Sequence, residues 1–275
     1  MKKLALFLIL IMASLTNVIA NEASDLLEEN EIKNYDPQKQ GLKDLVFEAR
    51  IDNLAEILKA VGNFGNVTDL HFKVYWLPTN QYKIDVNGLP PGFEEVRNDL
   101  ATLIKTKLDF VIPSTVQSRL KDYDLKTEAT TEGKTIVATD PQGRLPITLM
   151  KINFDKSGKL STMNYATGGQ TIETKFASSP KSWSNNKNLL DTLTITTKQG
   201  IQTNIITNKV EYLTESGIGF PSKLIIKNLT TAKIPAQGDK KEQNLKQETG
   251  TTVRFSNYEV NTGKAQRYMM GGQKR

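Results

Sequence analysis

From Tyr123 to Val260 the chain is written almost entirely as short β-prone runs closed by turn signals, and this punctuation limits its fold more than any other feature. Glu132-Gly133 and Ser157-Gly158 are hairpin turns, and Ile147 to Phe154 pairs naturally with Lys159 to Ala166. Gly168-Gly169 precedes Gln170 to Phe176, and Ser178 to Asn188 reads as a polar loop. The runs Leu189 to Lys198, Ile201 to Leu213 and Ser222 to Thr231 follow, with turns at Gly200 and Glu215-Ser216-Gly217. Thr251 to Val260 forms a last strand, and Ile234 to Glu248 reads as a lysine-rich mobile loop. Turns recurring roughly every 8–12 residues point to a sandwich or a barrel.

The earlier part of the chain supplies one more hairpin and one long helix. Leu70, Phe72, Val74 and Trp76 alternate with His71, Lys73 and Tyr75, and Pro78-Thr79-Asn80 then turns the chain. Tyr82, Ile84 and Val86 alternate with Lys83 and Asp85, so both strands bury one face. Pro90, Pro91 and Gly92 open a helix expected over Phe93–Val111, with Phe93, Val96, Leu100, Leu103, Ile104, Leu108 and Val111 at three- and four-residue steps. Glu94 and Glu95 in its first turn and Lys105 and Lys107 near its end suit the helix dipole, and Pro113 stops it. A shorter helix is expected from Asp52 or Asn53, with Leu54, Ile57, Leu58 and Val61 on one face.

The first twenty residues have the order of a secretory signal peptide: Lys2 and Lys3, an apolar run from Leu4 to Leu15, then Val18-Ile19-Ala20 at the cleavage position. That run is about 12 residues, where a membrane span needs roughly 20. Export to the periplasm is therefore expected. The chain has no cysteine, so an exported form has no disulfide staple and no N-terminal lipid attachment. Removal of Lys2 and Lys3 lowers the formal net charge from +6 to +4, too mild and too dispersed for a nucleic-acid footprint.

The residues offer little catalytic chemistry. The one histidine, His71, falls on the polar face of its strand, and a zinc site would need carboxylates almost alone. Ser-x-x-Lys occurs at Ser118, Ser178 and Ser184 without the companion elements of a serine–lysine hydrolase. Gly217-Ile218-Gly219 lacks the third glycine of a phosphate loop. No cofactor is implied. The aromatic cluster of Phe72, Trp76, Tyr82, Phe93 and Phe110 reads as core or as a greasy pocket under the helix.

Three segments resemble the LolA-like lipoprotein carriers and lipoprotein-sorting proteins of the bacterial periplasm. They are the hairpin His71–Trp76 with Tyr82–Val86, the run Asn153–Leu160, and the pair Gly217–Leu224 and Thr252–Asn261. The resemblance implies an α+β fold: a strongly curved antiparallel sheet, a half-open β-barrel, with helices covering its concave face. It also implies non-catalytic binding of a lipid or lipoprotein acyl chain. The expected lipid site lies between Phe72, Val74 and Trp76 on the hairpin and Leu100, Leu103, Ile104 and Leu108 on the helix. The competing expectation is an envelope assembly or adaptor protein that binds a protein partner without a lipid cavity. The expected organisation is a signal peptide over 1–20, a polar and loosely held leader over 21–41 with a short helix through Leu26, Leu27 and Ile32 capped by Ser24, one β-rich domain over 42–262 with a mobile loop at 234–249, and a frayed basic tail over 263–275. The alternative is two subdomains joined near Pro113.

Overall fold

Among the described residues, twelve antiparallel strands bond in the order β3-β2-β1-β12-β11-β10-β9-β8-β7-β6-β5-β4, and the sheet does not close on itself. The structure, a computed structural model, describes residues 22–62, 64–65, 67–79, 81–234 and 243–271; the expected signal peptide lies outside them. The strands are β1 (Leu45–Ile51), β2 (His71–Leu77), β3 (Gln81–Asn87), β4 (Asp124–Thr130), β5 (Gly133–Thr139), β6 (Leu149–Asp155), β7 (Leu160–Thr167), β8 (Gln170–Pro180), β9 (Asn188–Gln199), β10 (Gln202–Glu215), β11 (Ile218–Ile234) and β12 (Gln243–Val260). Helix α1 covers residues 22–33. Then come α2 (Leu54–Val61), α3 (Glu94–Lys105), α4 (Leu108–Val111), α5 (Val116–Leu120) and α6 (Lys264–Gly271). Two compact units share the chain, with β10, β11 and β12 contributing to both.

In the unit built on residues 36–113, period-two alternation sets the core. β2 buries Phe72, Val74 and Trp76 and turns His71, Lys73 and Tyr75 the other way. Its register carries the same face onto β3, with Phe72 opposite Val86, Val74 opposite Ile84 and Trp76 opposite Tyr82. On the other side Ala49, Phe47 and Leu45 of β1 continue it. Tyr258 of β12 closes this layer. Its ring stacks on Phe47 at 5.4 Å and on Phe220 at 4.7 Å, and its hydroxyl donates to the Pro221 carbonyl at 2.7 Å.

The unit built on residues 114–206 has its own core. Ile136, Ala138, Met150, Ile152 and Phe154 of β5 and β6 meet Ala23, Leu26 and Leu27 of α1 and Leu120 of α5. The β4–β5 turn depends on Gly133. Its φ is +151°, and a Cβ there would stand 2.1 Å from the Phe154 carbonyl oxygen.

Several expectations need correction. The leader is not loosely held: α1 buries three apolar side chains, and buried Asn30 accepts the Leu160 amide on its Oδ1 at 3.1 Å. Ser24 is inside α1 rather than at its cap. The expected mobile loop is strand wherever it is described, since Ile234 ends β11 and residues 243–249 begin β12; residues 235–242 lie outside the described residues. The basic tail is not frayed as far as residue 271. Tyr268 of α6 stacks on Tyr75 at 4.0 Å and donates to Asp85 at 2.6 Å, with Lys83 4.3 Å from its ring. The long helix breaks into α3 and α4 at Thr106 and Lys107, where Thr106 Oγ1 bonds the Leu103 carbonyl and the Lys107 amide tightens onto Ile104. In α2 only Leu54 and Leu58 are buried, while Ile57 and Val61 face solvent.

Burial pushes the Tyr258 phenol well above its ordinary value near 10. The folded state therefore holds this proton after an unfolded tyrosine has lost it. The resulting stabilisation is complete below about pH 10 and is lost as the pH rises from there through the folded-state value. Urea unfolding between pH 7 and 11 is expected to show that fall. In Tyr258→Phe this contribution to the fall is absent, and loss of the Pro221 bond costs about 1 kcal/mol at pH 7.

Candidate functional site

The structure brings five of the seven expected lipid-site residues into one buried apolar cluster. Phe72, Val74 and Trp76 of β2 and Leu100 and Ile104 of α3 lie in the core of the unit built on residues 36–113. Phe72, Val74 and Ile104 retain no surface that a water molecule could touch, and Trp76 and Leu100 retain 3% and 7%. Leu108 is half-buried at its margin. Leu103 does not join them: it is 40% exposed. The three- and four-residue spacing counts Leu103 into the stripe, but α3 rests on β3 along the line of Leu100 and Ile104, and Leu103 falls beside it. Polar side chains hold the helix at both ends. The Arg97 guanidinium donates to the Leu89 and Pro90 carbonyls at 2.8 and 2.7 Å, and the Lys105 ammonium lies 5.5 Å from the centre of the Tyr82 ring.

A different surface is open. In the unit built on residues 114–206, a groove of about 670 Å³ lies across β6, β7, β8 and β9, within the roughly 300–1,000 Å³ usual for ligand sites. Register explains its floor. Lys151 stands opposite Asn164, Asn164 opposite Glu173 and Glu173 opposite Thr196, making one cross-strand row. Leu149, Ala166, Thr171 and Lys198 line the same groove; Ala166 pairs with Thr171 and Thr171 with Lys198. Strand β6 shows the division between its faces. Leu149 and Lys151 are exposed in the groove, while Met150 and Ile152 are buried in the core.

The row beside the floor is polar and partly pre-ordered. Asn153 Nδ2 donates to Thr162 Oγ1 at 2.7 Å, and Asn164 Nδ2 donates to the same oxygen at 3.3 Å. Thr135 Oγ1 donates to Asn153 Oδ1 at 2.7 Å. Glu173 is paired with Lys175 at 3.3 Å. Among the described residues Lys151 and Lys198 pair with no carboxylate, so the groove presents two free ammonium groups. This arrangement can take hydrogen bonds and anionic groups.

The sequence reading missed all of these groove residues. Its signal was the alternation within β6 to β9, but only the register between strands shows that the polar positions share one floor. The residues weighed for catalysis have local partners. Ser184 is buried, with its Oγ 3.0 and 2.7 Å from the Lys181 and Lys187 carbonyls. Ser118 Oγ donates to the Thr115 carbonyl at 2.7 Å, and His71 Nδ1 lies 2.7 Å from the Asp69 carbonyl oxygen. No group of three or more His, Cys, Asp or Glu suited to a metal occurs among the described residues.

Substitution separates the buried line of α3 from its exposed neighbour. Ile104→Asp is expected to cost several kcal/mol, because a carboxyl group would sit in a dry apolar layer. Leu103→Asp, one residue away, is expected to stay within about 0.5 kcal/mol of the unmodified chain. Chemical denaturation of the two variants checks both values.

No family model matches the chain, and no curated protein matches it. Among solved structures it is similar to one described as the crystal structure of MucB in complex with MucA(peri), at 12% identity over 89% of this chain and 96% of that one, with a TM-score of 0.20. Likeness at that score does not establish a shared fold.

Proposed function

We propose that the protein is a non-catalytic, exported component of a bacterial cell envelope that binds a polypeptide partner in the periplasm. The groove across β6 to β9 is the binding surface, and an extended segment with spaced acidic residues is the occupant. The observation that carries this reading is the pair of unpaired ammonium groups, Lys151 and Lys198, on a floor of Asn and Thr side chains. They stand on strands three spacings apart and two residues along, about 16 Å, a span covered by about five residue rises of extended chain. Hydrogen-bonding rows suit a peptide better than an acyl chain, which would leave them desolvated and unpaired.

The lipid-carrier reading rests on the other unit and requires its core to open. Phe72, Val74 and Ile104 already pack against protein on every side. A lipid entering there would have to displace α3 from β3. Export rests on the sequence of residues 1–20. Among the described residues no helix is long and apolar enough to cross a membrane.

Fluorescence anisotropy with two labelled twelve-residue peptides tests the proposal, one with glutamates every fifth residue in a Ser/Thr background and one with lysines at those positions. The acidic peptide is expected to bind, and to weaken as salt is raised through physiological ionic strength. Lys151→Glu combined with Lys198→Glu is expected to weaken it about tenfold or more, since both changes turn attraction into repulsion at the rim. Equal binding of the two peptides, or indifference to the double substitution, would sink the reading. Uptake of a fluorescent fatty acid that ends on displacing α3 would reinstate the lipid carrier.

A further inference from the structure

The two edges of the sheet are treated differently. The edge at β3 is packed against α3, with Tyr82, Ile84 and Val86 part of the core there. Among the described residues, the edge at β4 has β5 on one side and no strand on the other. An antiparallel edge strand keeps alternate N–H and C=O groups free for another strand. β4 covers seven residues, Asp124 to Thr130, and carries Asp124, Lys126 and Glu128 exposed on one face with Leu125 and Thr127 half-buried on the other.

We infer that β4 pairs with β4 of a second copy of this chain, antiparallel and centred on Thr127. Charge order selects this occupant. Centring on Thr127 uses all seven residues of the strand and sets Lys126 opposite Glu128 of the other copy, twice by symmetry. A shift that centres the pair on Lys126 opposes lysine to lysine and acid to acid, and one that centres it on Glu128 opposes Glu128 to itself. Neither residue has a charged partner on β5, where Lys126 faces Val137 and Glu128 faces Thr135.

A lysine on an edge strand by itself discourages pairing with arbitrary edges. An acid two residues further on, at the mirror position about the strand's centre, makes the same edge selective for its own copy. A seven-residue ladder is small beside the roughly 1,200–2,000 Å² of stable complexes, so the dimer should form in the high-micromolar range.

Sedimentation equilibrium of the purified chain up to about 500 µM tests this, with circular dichroism confirming that each variant is folded. The unmodified chain is expected to dimerise. Lys126→Glu and Glu128→Lys, each on an exposed side chain, are each expected to weaken dimerisation about tenfold or more, because every attractive pair becomes repulsive. An equimolar mixture of the two variants is expected to associate again, since one then carries two acids where the other carries two bases. The double variant Lys126→Glu/Glu128→Lys is expected to pair as the unmodified chain does. A monomer at 500 µM, or a dimer unaffected by either single change, or a mixture that fails to associate, overturns the inference.

Discussion

A β-strand has two faces, and the whole structure follows from which face of each strand is hidden. With no cysteine to cross-link it, the chain depends on apolar layers assembled by register alone. In β2 a slip of one residue would exchange Phe72, Val74 and Trp76 for His71, Lys73 and Tyr75 at the core. In β6 the same slip would bury Lys151 and expose Ile152. The register that protects each core also decides which side chains meet on the opposite face, so the groove is a consequence of the packing on the reverse side of the same strands.

The hairpins were legible because their evidence is local. Alternation at Phe72, Val74 and Trp76, and glycine at positions such as Gly133 where a Cβ would strike the neighbouring strand, need only neighbouring residues to be read. The helices were less legible. In residues 22–33 a short helix on Leu26, Leu27 and Ile32 is legible, but Ile32 is exposed and Ala23 is the residue buried with the two leucines. Docking against Ile152 and Phe154 holds this helix, and no local pattern reports that partner. The division of α3 from α4 comes from a single hydroxyl, Thr106 Oγ1, taking the Leu103 carbonyl, a competition that hydrophobic periodicity does not register.

The α6 segment shows the same limit from the other direction. Lys264 and Arg267 give it the composition of a solvated tail, yet Ala265 is wholly buried and Tyr268 stacks on Tyr75. Its anchor is a mixed aromatic and ionic contact: Asp85 accepts the Tyr268 hydroxyl while Lys83 lies over the ring. Asp85 and Lys83 occupy the polar positions of β3, and Tyr75 the polar side of β2. The face that alternation assigns to solvent is therefore partly covered by a helix about 180 residues away in sequence, a separation at which pairing cannot be read from local pattern.

That difference bears on why the open surface is the more informative one. A strand's inward positions must be apolar whatever the protein does, so the burial of Phe72 or Ile104 says how the fold holds. Outward positions are free to vary, and most carry charges that pair or stay solvated. Across β6 to β9 the outward positions instead form ordered rows, with Asn153 and Asn164 both fixed on Thr162 and Glu173 neutralised by Lys175. Fixing those amides and removing that acid leaves Lys151 and Lys198 as the uncompensated charges, and a surface whose hydrogen-bonding groups are already oriented loses less entropy when a partner binds.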